Sequence, residues 1–358
     1  MKKRQLIVGL VVVIALAALG IYAQHRYPID WREVLAQFKL ARWQNVAIGI
    51  GCIYLAYVFR AMRWACLLRH HKKVSATSLI GTQVIGFTAV ALIGRIADPV
   101  RPYLVSKKTD LPLSTQFAVY VVERLFDAGT MALIFSSTFL LASWFGGAGT
   151  LTHPELVKRS GYWGMAGTLA GSLFLVAVRF AGGAVASFLE GTLGVLSKKI
   201  GRAVGDKIRE FRVGLDTMRS LSDFSAVAGL SIIMWIIIFL AYLETTRAFV
   251  ATPELASMTP ARCVLLMIVS GVSSIVQLPV VGWFTQIGLV AIAISQFFGV
   301  SREASTSCAA TLLLATFLSV VPVGLIWAHL ENVNLRKVTV ESERAEEELP
   351  HGSTSVAE

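Results

Sequence analysis

Apolar residues run along this chain in long blocks separated by short polar stretches, not in the alternation of half-buried strands. The blocks fall at 6–23, 43–59, 76–94, 117–143, 161–180, 225–243, 262–299 and 304–328. A helix needs about 20 apolar residues to cross a hydrocarbon core of about 30 Å, so most blocks have spanning length. Two are not simple helices. Block 262–299 is too long for one crossing and is interrupted at Gln277-Leu278-Pro279-Val280-Val281-Gly282. Block 76–94 runs without a polar exit into Gly94-Arg95-Ile96-Ala97-Asp98-Pro99-Val100-Arg101-Pro102, where glycine and proline break a helix. The pattern predicts an all-α polytopic membrane protein with about six full spans and two re-entrant broken-helix hairpins.

Basic residues choose the topology, because cytoplasmic loops carry an excess of Lys and Arg. With 76–102 as a hairpin that leaves on the side it entered, the basic segment 181–224 falls inside. Arg60, Arg63, Arg69, Lys72, Lys73, Lys107 and Lys108 fall inside with it. Each half, 1–143 and 161–330, then reads span, span, hairpin, span, and the two start on opposite sides. By hydropathy that is an inverted repeat, an architecture transporters use for alternating access. The expectation is a multi-pass protein of the cytoplasmic (inner) membrane with both termini cytoplasmic. The run 6–23 is read as a retained first span, since Ile21-Tyr22-Ala23 makes a poor cleavage site for a signal peptide.

Helical periodicity adds two elements. In 30–43, Trp31, Val34, Leu35 and Phe38 share a face, and Asp30 with Glu33 suits a capping box. Within 181–224 an apolar stripe from Leu193 to Met218 opposes basic residues, as in an amphipathic helix on anionic lipid or one packed on its neighbours. The acidic tail 331–358 is expected to be disordered.

Composition narrows the class. Hydrophobic residues make up 55% and charged ones 15%, against about a quarter charged in soluble domains, which argues against a soluble enzyme. The net charge of +11 sits beside apolar segments, which points to anionic headgroups and not to nucleic acid. Cys52, Cys66, Cys263 and Cys308 form no CxxC pair, and adjacent His70 and His71 suit no helical metal site, so no metal or cofactor is implied. No Gly-rich phosphate loop or GxSxG elbow occurs, and an enzyme is not the favoured reading.

Ionisable residues at membrane depth cost roughly 2.5–3.5 kcal/mol each on insertion scales, so each needs a reason. Arg95, Asp98 and Arg101 are spaced so that one carboxylate reaches both arginines on a helical turn. Two guanidiniums beside a helix break suit a phosphate or carboxylate, and a structural ion pair closing the hairpin is the alternative. Glu123, Arg124 and Asp127 form a second group, with an arginine of the first hairpin as a natural counter-ion. Arg60 and Arg63 either hold a headgroup or simply obey the positive-inside rule. Gln277, Pro279, Gly282 and Gln286 mark the second break and bring amides without charge.

At these residues the chain resembles the lysylphosphatidylglycerol synthase transmembrane region, a flippase-like family, in its stand-alone form without the synthase domain. Three places carry the likeness: Arg60-Ala61-Met62-Arg63-Trp64, Arg95-Ile96-Ala97-Asp98-Pro99-Val100-Arg101 (similar to R-x-G-E-x-x-R), and Glu123-Arg124-Leu125-Phe126-Asp127 (similar to E-R-x-x-D). A late P-G-G-x-G-x-x-E pattern is poorly kept, since Val280 and Val281 follow Pro279 and Gln286 replaces the acid. The resemblance implies movement of a lipid between leaflets. The expected partners are membrane lipids with anionic headgroups, with a lipid-modifying enzyme and a second copy of the chain left open. Two alternatives stand beside the translocase: a non-transporting scaffold for a lipid- or glycan-modifying enzyme, and a lipid-modifying transferase.

Overall fold

The structure, a computed structural model, describes residues 29–140, 154–194, 197–198, 201–202, 204–205, 220–274 and 281–347. The first apolar block 6–23, most of the basic part of 181–224, Gln277, Pro279 and the tail beyond 347 lie outside the described residues. Among the described residues the chain is all helical. Its elements are α1 (Trp31–Leu40), α2 (Trp43–Leu68), α3 (Ala76–Ile93), a 3-10 turn (Arg95–Ala97), α4 (Val100–Thr109) and α5 (Leu113–Leu140). There follow α6 (Pro154–Gly194), α7 (Leu221–Arg247), α8 (Pro253–Ala256), α9 (Pro260–Ser273) and α10 (Val281–Phe298). The last are α11 (Arg302–Leu313), a π-helical turn (Leu314–Leu318), α12 (Val320–Leu330) and α13 (Leu335–Glu347).

Four described helical stretches are long and apolar enough to cross a membrane: Trp43–Leu68, Ala76–Ile93, Ser222–Arg247 and Arg302–Leu330. Helix α5 has the length, 28 residues, but carries Glu123, Arg124 and Asp127. Large apolar side chains such as Ile48, Ile233, Ile236, Ile292 and Ile326 face outward, as lipid contact requires. Helix α3 differs: 61% of its apolar window is buried inside the protein, against 33–39% for the other three. It is the central helix, covered by α2, α4 and α12.

Helices α2 and α7 form an antiparallel pair. The backbone and side chain of α7 at Ala241 and Thr245 crowd Gly49, and Asn45 Nδ2 donates to Glu244 Oε2 at 2.8 Å. At the opposite end Arg69 and His70 meet Asp223, whose carboxylate also completes a capping box with Ser220. A core of residues from α2, α7 and α9–α12 fills one part of the bundle.

Both broken segments fold back on themselves. After α3 the chain turns at Gly94, whose φ of 95° is a left-handed conformation that only glycine adopts without strain. Pro99 then caps α4, and Pro102 sits in its first turn, where a missing N–H costs no helical bond. Lys72, ahead of α3, donates to the Thr109 carbonyl oxygen at 2.7 Å, so the segment ends beside the point where it began. Helices α9 and α10 likewise pack against each other across their break.

Two sequence expectations need correction. The tail was expected to be disordered, yet Leu335–Glu347 is the helix α13. It buries Val338, Thr339 and Ser342, packs on α4 and the 3-10 turn, and accepts a 2.8 Å bond at Glu341 from the Tyr103 hydroxyl. At α1 the Asp30 side chain accepts from Arg32 N at 2.8 Å, one residue short of the bond to Glu33 that a capping box needs. The helix itself forms as expected, with no buried residue.

Candidate functional site

The intramembrane charges come together from three helices. Arg60 and Arg63, three apart, share a face of α2; Glu123 and Asp127, four apart, share a face of α5; Arg101 arrives from α4. Glu123 is the hub. Its Oε1 accepts from Arg60 Nη1 at 3.3 Å and Arg101 Nη1 at 3.1 Å, lies 3.0 Å from Arg63 Nη2, and also takes a bond from neighbouring Arg124. Asp127 accepts from Arg63 at 2.7 Å and from Trp235 Nε1 at 3.2 Å, and pairs with Arg124 at 3.0 Å. Arg63, Glu123 and Arg101 are buried. By the 1.5 Å rise per residue, Arg60 lies about 7 Å from the middle of α2, too deep for a loop charge.

One expected pairing is wrong. Asp98 holds Arg95 at 3.4 Å, but Arg101 turns away from it to Glu123 and to Gln83 Oε1, the latter at 3.0 Å. The 3-10 winding of Arg95–Ala97 stacks Asp98 over Arg95, three residues away, while Arg101 belongs to α4 and reaches Gln83 and Glu123. Arg60 and Arg63 are part of the buried network and not an interfacial basic loop.

Residues outside the expected set hold these arginines in place. The Arg101 guanidinium lies 4.8–5.2 Å from the rings of Phe87, Trp64 and Tyr120, and Arg60 lies 4.9 Å from Phe87. Such aromatic walls attract a cation while taking none of its hydrogen-bond donors. Gly86 gives Arg101 its room, since a Cβ there would collide with the Arg101 side chain. In the sequence, Trp64 beside Arg63 and Gln83 within an apolar run were the signals available; Phe87 and Tyr120 read as ordinary core.

The two hairpins meet at their breaks. Arg95 donates through Nε to the Ser274 carbonyl oxygen at 3.0 Å and through Nη2 to Ser274 Oγ at 2.9 Å, while Trp283 Nε1 donates to the Ala91 carbonyl oxygen at 3.1 Å. Beneath this junction lies a cavity of about 210 Å³. Arg60, Arg95, Asp98, Arg101 and Arg124 line it on one side, and Ser270, Ser274 and Gln286 on the side of the second hairpin. Tyr57, Phe87, Met267 and Phe317 complete an apolar wall. Gly282 is buried near the start of α10, and Gln286 donates to Ser270 Oγ at 3.1 Å.

A helical bundle with two broken hairpins meeting over an arginine-lined cavity defines a polytopic membrane protein whose candidate site lies among its intramembrane charges. Residues 6–324 match the family of the lysylphosphatidylglycerol synthase TM region, and the chain belongs to that family. No curated protein matches the chain in sequence.

Proposed function

We propose that this protein is a translocase that moves an anionic lipid between the leaflets of the cytoplasmic membrane, with both termini on the cytoplasmic side. The observation that carries the reading is how the cavity arginines use their donors. Arg60 and Arg101 each spend only Nη1 on hydrogen bonds among the described residues, both reaching the same Glu123 oxygen. Both residues line the same cavity. Two such planar forks suit a phosphate headgroup. Glu123 and Asp127 sit behind the arginines and keep them compensated when the site is empty, and the apolar wall suits the adjoining acyl chain. The contacts of Arg95 with Ser274 and of Trp283 with Ala91 join the hairpins on one side of the headgroup. Breaking them would open that side, as alternating access requires.

The test is leaflet exchange of fluorescent anionic phospholipids in proteoliposomes, read by dithionite quenching. The reading expects wild type to exceed empty vesicles and Arg101→Ala to lose the excess. Exchange equal to empty vesicles across several headgroups would refute it.

A further inference from the structure

We infer that the cavity is matched to a compact headgroup carrying two negative charges, a phosphomonoester such as that of phosphatidic acid, over a phosphodiester or an ammonium-bearing headgroup. This rests on the reading of the cavity as a headgroup site. The first ground is charge. Arg60, Arg63, Arg101 and Arg124 form one connected cluster with Glu123 and Asp127, and Arg95 with Asp98 makes a separate pair on the same cavity, so five positive groups meet three negative ones and two positive charges remain. Unbalanced charge at membrane depth is costly, and buried arginines such as Arg63 and Arg101 cannot reach the interface to shed it. A phosphomonoester, at about −1.5 to −2 near neutral pH, cancels the surplus. A phosphodiester cancels half of it.

The second ground is the side of the cavity supplied by the second hairpin. The whole stretch 260–298 contains no Asp or Glu, so nothing there can neutralise an ammonium group. What it offers is Gln286, buried at 7% exposure, whose Oε1 has no hydrogen-bond partner while its Nε2 is bound to Ser270. A neutral, unpartnered acceptor on a residue that lines the cavity fits a hydroxyl, from the protonated form of the phosphate or from glycerol. Size is the third ground. At about 210 Å³ the cavity is smaller than the roughly 300–1,000 Å³ of ordinary ligand pockets, which suits a bare phosphate and not a sugar.

The experiment measures binding, not exchange, so its failure leaves the translocase reading standing. The purified full chain in detergent is titrated calorimetrically with dioctanoyl phosphatidic acid, phosphatidylglycerol and phosphatidylethanolamine, and with inorganic phosphate. The expected order places phosphatidic acid at least about tenfold tighter than either other lipid, or about 1.4 kcal/mol. Phosphatidic acid tighter than inorganic phosphate identifies a lipid as the source of the phosphomonoester; equal affinity identifies free phosphate. Gln286→Glu should weaken phosphatidic acid and strengthen phosphatidylethanolamine, whereas Arg101→Gln should bring phosphatidic acid down to the level of phosphatidylglycerol. Wild-type protein that binds phosphatidylglycerol or phosphatidylethanolamine as tightly as phosphatidic acid overturns the inference, whatever the variants do.

Discussion

At the scale of single residues, Glu123 has the largest share of the site. Four arginines converge on its Oε1, and it is only 1% exposed. Removing one partner of a buried ion network leaves charge uncompensated, at a cost of about 3–5 kcal/mol. Glu123→Gln should therefore lower thermal stability in detergent by an amount of that order, measured by the melting of the purified protein. Arg124→Gln, at a side chain 36% exposed, should cost clearly less. Equal losses for the two would remove Glu123 from its place as hub. Gly86→Ala makes a different point, since the added methyl meets Arg101 at Cγ, at the root of its side chain, so Arg101 has to shift within its buried network. It should reduce headgroup binding or exchange several-fold and lower the melting temperature; an unchanged exchange rate would show that Arg101 can move without consequence. The sequence exposed Arg60, Arg63, Arg101, Glu123, Arg124 and Asp127 because charge within apolar runs is conspicuous. It also offered an arginine of the first hairpin as counter-ion for the Glu123 group, a place Arg101 takes, but it did not separate Arg101 from Arg95, because Asp98 stands three residues from each.

Between elements, the two hairpins were legible from Gly94 and Pro99 in one and from Pro279 and Gly282 in the other. Their meeting was not, since Arg95 and Ser274 lie 179 positions apart and neither break names its partner. If that contact closes one side of the cavity, replacing both residues with cysteine in a background lacking the native cysteines and joining them with a short bis-maleimide should stop exchange. Each single cysteine, treated alike, should retain more than the joined pair. Helix α13 was read as disorder because the acidic run Glu346-Glu347-Glu348 dominates the tail's composition, while the buried stripe of Val338, Thr339 and Ser342 is short and mostly polar. Its docking has a pH signature. The Tyr103 hydroxyl bond, followed by the nearby Lys107 and Lys337, holds the Glu341 carboxyl below its usual range. A carboxylate whose value is depressed on docking contributes stability above its free value of about 4.3 and loses it as pH falls through the docked value. Hydrogen exchange of α13 should be slow near neutrality and accelerate below about pH 4.3. Tyr103→Phe should move that acceleration to higher pH, and an identical profile would remove the bond from the account.

For the whole molecule, the apolar blocks made the fold class readable, since only helices and closed barrels satisfy the backbone in lipid and 20-residue blocks select helices. The cavity was not readable, because it exists only where α2, α4, α5, α7 and both hairpins pack around it. The arrangement places its surplus positive charge where lipid headgroups do not normally go, in the interior of a bundle whose outer face is apolar. Arg101 is the residue that joins the cavity, the charge network and the first hairpin, so the most direct measurement is the initial rate of anionic-lipid exchange in proteoliposomes of wild type and Arg101→Ala. Lys108→Ala serves as the control, a lysine of the same helix bonded to Glu331 away from the cavity. Wild type and the Lys108 variant should exchange lipid well above empty vesicles, with the Arg101 variant reduced at least about tenfold, or about 1.4 kcal/mol. Equal rates for all three proteins would contradict the account.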